Sequence, residues 1–204
     1  MTGKVFIASM NMQGEWAKPM DPDSLKVNVT SAQGKSSKNR RDFSPMTEIE
    51  GGYCGFWNFE SYWQSGKVYE TIPYETTKNW WCELKEPKRR FPNSKGKRVL
   101  HSKWAEYMNE PMDYVTSRKK VYVPRYYDLV ESREMVKYYR DYLKSGKNIT
   151  IYDFDGVRDS SGAPSCKEIT RELLIEKMND TKFPFGHGYI VGALLAEIHY
   201  DEFV

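Results

Sequence analysis

The sequence predicts an α+β fold: a single helix-rich domain over residues 1–204, built around a small mixed β-sheet. Three observations carry that expectation. Short apolar runs at Lys4-Val5-Phe6-Ile7-Ala8 and Ile149-Thr150-Ile151-Tyr152 have the length and bounding residues of strands. Longer stretches repeat apolar residues at helical spacing, as at Leu129, Val136, Tyr139 and Leu143. Finally, 204 residues with 39% hydrophobic and 15% aromatic content can bury one substantial core but not two full-sized ones.

Taken in order, 4–8 opens the sheet and 25–30, with apolar residues at every second position, supplies another strand. Residues 31–50 are polar, contain Pro45 and read as a long loop, a feature that in a compact domain is usually functional. A helix is expected from about 55 to 69, limited by Pro73, and a second over 75–84. A basic connector, 85–98, carries Pro87 and Pro92. Residues 120–123 read as a strand or as an extended lead-in to Pro124. A helix follows over 126–143, with Gly146 as its stop. After the strand at 149–152, Ser165 and Glu168 have the spacing of a capping box for a helix over 169–178. Residues 183–188 form a loop before a last helix over 189–197.

Composition excludes several classes. Lys plus Arg number 31 and Asp plus Glu 28, so a net charge of +3 argues against a wholesale nucleic-acid coat. No run of 18 apolar residues marks a membrane span, so no membrane partner is expected. The N-terminal apolar run breaks at Asn11 without the pattern of a signal peptide. Cys54, Cys82 and Cys166 are too far apart for a metal site and odd in number, as expected of reduced thiols in a cytoplasmic setting. No cofactor and no metal are expected: there is no zinc-like cluster and no phosphate-binding Gly-x-x-x-x-Gly-Lys loop.

The segment Phe56-Trp57-Asn58-Phe59-Glu60-Ser61-Tyr62-Trp63-Gln64-Ser65-Gly66-Lys67 holds the most chemistry. Helical spacing puts Phe56, Phe59 and Trp63 on one stripe, with Gly66 in line where a neighbour can approach closely. Glu60, Gln64 and Lys67 form a second stripe at the margin of the first. A carboxylate there is partly desolvated, which suits it to proton transfer. The plainer reading is a solvated helix edge.

The pattern Glu60-x-Tyr62-Trp63-Gln64-x-x-Lys67 resembles the Glu-His-Tyr-(Phe/Tyr)-Gln-Ala-x-Lys helix of the NADAR proteins, which are ADP-ribose N-glycosidases. Gly188-Tyr189-Ile190-Val191-Gly192-Ala193-Leu194-Leu195 is a looser counterpart of that family's last helix, and Tyr152-Asp153-Phe154-Asp155-Gly156 a partial match to its Trp-Gly-Asp-Gly segment. The resemblance covers roughly residues 40–197 and implies a NADAR-like fold and an N-glycosyl bond hydrolase with Glu60, and secondarily Asp155, as catalytic acids. The chain also looks like proteins encoded by large DNA viruses and phages, which would place it in a host cytoplasm. The implied substrate is a nucleotide-like small molecule or an ADP-ribosylated nucleic acid. In that reading Trp57 or Trp63 walls the pocket, and Gln64 and Lys67 orient ribose or phosphate. Arg40 or Arg41 holds phosphate by a bidentate fork, and Phe43 stacks on a base. Asp153 is a further pocket carboxylate, or else caps local backbone amides at an Asp-Gly turn. His187, between glycines at a helix start whose amides can bind an anion, contacts phosphate or ribose, or else is a cap or turn residue. A glycosyl transfer that modifies a nucleotide or base would use the same chemistry.

Two competing readings remain. The Asp153-x-Asp155-Gly156 strand end resembles the first motif of haloacid-dehalogenase-type phosphohydrolases, with Mg²⁺. However, that motif normally opens its chain, and only 48 residues follow Gly156 here. The segment 85–98 has seven basic residues, among them Lys88, Arg89, Arg90, Lys95, Lys97 and Arg98, against the single acid Glu86. Its net +6 leaves −3 for the remainder of the chain. This asymmetry suits a non-catalytic nucleic-acid-binding module as well as a solvated connector. Trp80, Trp81 and Trp104 are core or rim anchors, or stacking surfaces.

Overall fold

Strand β5 (Ile149–Asp153), with every residue buried, lies inside a four-stranded sheet of order β2-β5-β1-β6. In this computed structural model, which describes residues 2–11 and 16–204, β1 (Val5–Ser9) and β2 (Leu25–Asn28) both run parallel to β5. β6 (Cys166–Glu168) closes the other edge antiparallel to β1. Strands buried on both faces read as continuous apolar runs, which is why β1 and β5 stand out in the sequence. The α+β class with a small mixed sheet is therefore observed.

The chain divides into two compact units: 1–44 with 123–204, which holds this sheet, and 45–122. In the first unit, helix α8 (His187–Leu195) is buried along its whole length and packs on β1 and β5. Period two along β5 aims Ile151 and Asp153 at it. Their separation along the strand is about 6.6 Å, close to the roughly 6 Å rise of four helical residues. Gly192 accordingly lies over Ile151, and Gly188 over Asp153. The other sheet face carries a smaller cluster of Ala8, Met10, Ala17 and Tyr152.

The loop expected over 31–50 contains a helix, α1 (Lys38–Phe43), capped by the Ser37 side chain. The single helix expected over 126–143 is two helices, α5 (Val123–Glu131) and α6 (Glu134–Lys144), with a break at Ser132-Arg133. The expected extended lead-in at 120–123 is instead helical: a π-helical turn over Arg118–Tyr122 ends where α5 begins. The Ser165-x-x-Glu168 pattern is not a capping box. Those residues lead into and form β6, and α7 (Arg171–Asn179) takes its cap from Thr170. A three-residue edge strand has no pattern of its own; pairing with β1 decides it.

In the second unit, helix α2 is only Phe59–Ser65, shorter than the expected 55–69. Asn58 caps it, its Oδ1 accepting the Ser61 N–H at 2.8 Å, and Gly66 ends it. Lys67 starts a strand, β3 (Lys67–Tyr69), paired antiparallel with β4 (Val99–Ser102). Helix α3 (Tyr74–Glu83) packs against α2, and α4 (Tyr114–Ser117) precedes the π-helical turn. The close approach at Gly66 is real, but the neighbour is a ring. A Cβ there would stand 2.1 Å from the Trp104 indole, whose Nε1–H donates to the Tyr62 carbonyl at 3.1 Å.

Candidate functional site

The second unit holds Glu60, Gln64 and Lys67 together. Glu60 and Gln64 are one helical turn apart on α2, and Gln64 Nε2 donates to Glu60 Oε1 at 2.7 Å. Gln64 is buried, whereas Glu60 and Lys67 are half-buried. Lys67 lies on the strand after Gly66 rather than on the helix, so the expected stripe is interrupted by a change of backbone direction. Burial pulls the Lys67 ammonium below its ordinary pKa of 10.5; the Glu60 carboxylate opposes that shift and the Arg90 guanidinium adds to it. A carboxylate, an amide and an amine thus belong to one segment of the second unit.

The aromatic residues of the motif mostly build the core that supports it. Phe59 is fully buried, and Trp63 stacks on Trp104 at 5.3 Å and touches Tyr122 at 4.9 Å. Trp63 therefore offers no open face as a pocket wall, while Trp57 is half-buried. Tyr62, buried, donates its hydroxyl to the exposed carboxylate of Glu106. Glu106 was not foreseen, because nothing in the sequence joins it to Tyr62 across 44 positions. Arg118, at 1% exposure, was not foreseen either; its guanidinium lies 4.2 Å from the Tyr114 ring. The signal available was an aromatic four residues ahead of a cation in a helical stretch.

In the first unit, Asp153 and His187 meet. Asp153 Oδ2 accepts the Gly188 N–H at 2.8 Å and stands 3.4 Å from His187 Nδ1, while His187 Nε2 lies 2.8 Å from the Val29 carbonyl. Both ring nitrogens thus face acceptors. The start of α8, where an anion was expected, holds the chain's own carboxylate. The glycines make this approach possible: a Cβ on Gly188 would fall 2.7 Å from the Asp153 Cβ, and one on Gly186 2.6 Å from the Asp155 Cβ. Asp155 itself is half-buried in the turn after β5. Burial, with the nearby charge of Asp153, pushes the Tyr126 and Tyr189 hydroxyls above their ordinary pKa.

Residues 40–43 are also committed to α1 and its packing. Arg40 Nη1 donates to the Gln33 carbonyl at 2.8 Å. Arg41 forks onto Asp42, with Nε–Oδ1 at 2.7 Å, and reaches Glu134 at 2.9 Å. Asp42, buried, accepts the Met135 N–H at the start of α6 at 3.0 Å. Burial alone would raise the Asp42 pKa, but the Arg41 and Met135 hydrogen bonds outweigh it and hold the carboxyl below 3.8. Phe43 is fully buried beside Tyr139, so it is a core anchor with no face open to a base.

The basic residues of 85–98 (Lys88, Arg89, Arg90, Lys95, Lys97 and Arg98 among them) are exposed. Among the described residues, no group of three or more His, Cys, Asp or Glu side chains is placed to hold a metal ion. None of the described helices is long and apolar enough to cross a membrane.

No family model, no curated protein and no solved structure matches this chain.

Proposed function

We propose that the chain cleaves a ribosyl–nitrogen bond in an ADP-ribosylated or related nucleotide-like substrate, with Glu60 as the catalytic carboxylate. The observation that carries this reading is the half-buried Glu60, whose carboxylate accepts a hydrogen bond from Gln64 Nε2 at 2.7 Å. Breaking the C1′–N bond passes through an oxocarbenium-like centre, which a carboxylate stabilises. Water supplies the new C1′–O bond; its proton goes to Glu60, and the leaving nitrogen receives a proton in turn. Gln64 fixes the carboxylate's rotamer, so little reorganisation is needed at the moment of reaction. Lys67 is placed to bind a ribose hydroxyl or a phosphate oxygen. The Glu-x-Tyr-Trp-Gln spacing that resembles the NADAR helix supports the same assignment.

The test is Glu60→Gln, which keeps the shape of the side chain. With an oligonucleotide carrying ADP-ribose on guanine as probe, release of free ADP-ribose should fall at least about 100-fold, while the thermal midpoint stays near that of the parent. Unchanged release would end the assignment.

A further inference from the structure

The basic segment has a structural partner. Helix α3 carries Trp80 and Trp81 side by side; Trp81 is fully buried, which leaves Trp80 at the surface margin. Trp81 at 4.7 Å and Phe91 at 5.3 Å both meet Trp80 near the perpendicular, at 80°, so its ring plane is fixed from two sides. Phe91 belongs to the basic segment, so this contact pins the segment beside the ring. Turns hold the rest of it in shape. Ser94 is buried and bonds back to the Phe91 carbonyl at 2.7 Å, Asn93 and Gly96 adopt left-handed backbone angles, and Glu70 N–H donates to the Arg98 carbonyl at 3.1 Å. These cations are displayed on a folded framework, not on a loose tail. Next to them Trp80 lines an open cleft of about 480 Å³, with Glu83, Leu84, Lys85 and Glu86 as the other walls.

We propose that this surface grips single-stranded nucleic acid: one unpaired base enters the cleft and stacks on Trp80, and the flanking phosphates lie on the cations of 85–98. The chemistry divides accordingly. An aromatic face accepts any base and a cationic stripe follows a backbone. Of the two acids in the cleft, Glu86 pairs with Lys88 at 3.1 Å, and Glu83 repels phosphate but can accept a hydrogen bond from an N–H on a base edge. A paired base has no face to offer Trp80, so duplex is excluded from the cleft. The cleft and Glu60 belong to the same compact unit, 45–122. The inference deepens the glycosidase reading by making its substrate a polymer, yet the binding itself is independent of cleavage.

The experiment is fluorescence anisotropy of a labelled 15-nucleotide dT strand titrated with the whole protein, alongside a duplex of equal length and ADP-ribose as competitor. Saturable binding is expected. The logarithm of affinity should fall with the logarithm of salt at a slope of about −3, as for roughly four phosphate contacts on a single strand. Trp80→Ala should weaken binding about 10-fold or more and Trp80→Phe far less. Combined replacement of Lys88, Arg89 and Arg90 by Ala should flatten the salt slope by about 2. Absence of binding at low salt, equal affinity for duplex, or indifference to Trp80→Ala in a folded protein each overturns the proposal. So does full displacement of the strand by ADP-ribose at matching concentration, which would make the cleft a mononucleotide site. The two readings fail separately: turnover that survives Glu60→Gln while the parent still binds the strand through Trp80 ends the glycosidase reading alone, and turnover lost in Glu60→Gln without any Trp80-dependent strand binding by the parent ends this inference alone.

Discussion

The two polar constellations of this chain use their carboxylates differently. In the sheet-bearing unit, Asp153 and Asp42 each take a backbone N–H at the start of a helix, α8 and α6, and each has a basic side chain beside it, His187 and Arg41. Those acids hold the fold. In the other unit the neutral Asn58 caps α2, and Glu60, two residues on, takes its hydrogen bond from the Gln64 side chain. A carboxylate bound by side chains can exchange partners for a substrate at small cost. One that closes a buried helix end cannot, because the helix amide would be left without an acceptor. The contrast separates acids that close helix ends from one hydrogen-bonded by a neighbouring side chain, although the sequence shows both simply as Asp or Glu near aromatic residues.

The largest effect should come from breaking the closed site. Asp153→Ala leaves the Gly188 amide without its acceptor and removes the carboxylate 3.4 Å from His187 Nδ1, at 2% exposure. A loss of about 3 kcal/mol is expected in urea unfolding, from buried polar groups left without partners. Gly188→Ala attacks the same contact by overlap and should cost about 1–3 kcal/mol. Glu60→Ala should cost less than about 1 kcal/mol. If Asp153→Ala unfolds at the parental midpoint while Glu60→Ala collapses, the division of roles is reversed. Next in size is Gly66→Ala, which would drive a methyl group into the Trp104 ring at 2.1 Å. About 2–3 kcal/mol is expected there, and the ring's near-ultraviolet circular dichroism should change with it.

Asp42 gives the comparison a pH axis. Its folded pKa is held below 3.8, so its stabilisation is complete above that value and is lost as pH falls through the folded pKa. Asp42→Asn should therefore cost about 1–2 kcal/mol at neutral pH. The two proteins should converge in acid as the pH falls through the folded pKa. A difference that stays constant down to the acid unfolding of the parent would mean that the carboxylate's charge has no part in it.

Much of the scaffold was legible because it depends on local pattern. β1 and β5 are apolar throughout, and the i, i+4 spacing of Glu60 and Gln64 brought those two side chains together as expected. What was hidden depends on distant partners. Helix α1 is short and polar, held by Asp42 and Phe43 packing against elements some 90 residues away. The loop expected at 183–188 already contains the first turn of α8, because glycines that usually signal a turn serve here to admit Asp153. Lys67 was expected beside Glu60 for the wrong geometric reason, a longer helix. The alternation that would have announced β3 and β4 is absent from strands of three and four residues.

The smallest effect is also the most direct probe of the surroundings of Glu60. Burial and Arg90 together lower the Lys67 pKa below 10.5, and Glu60 resists them. Reductive methylation, followed by peptide mass spectrometry across pH, should find that Lys67 reaches half its maximal rate at a lower pH than exposed Lys95 or Lys97. The midpoint is the quantity to compare, since partial burial slows reagent access at every pH without moving it. Glu60→Gln removes the one influence that raises the Lys67 pKa, so its midpoint should move further down while those of Lys95 and Lys97 stay fixed. An upward shift, or none, would show that the carboxylate and the amine do not feel each other, and Lys67 would lose its place in the proposed site. A downward shift confined to Lys67 would tie the two groups electrostatically without any assumption about substrate.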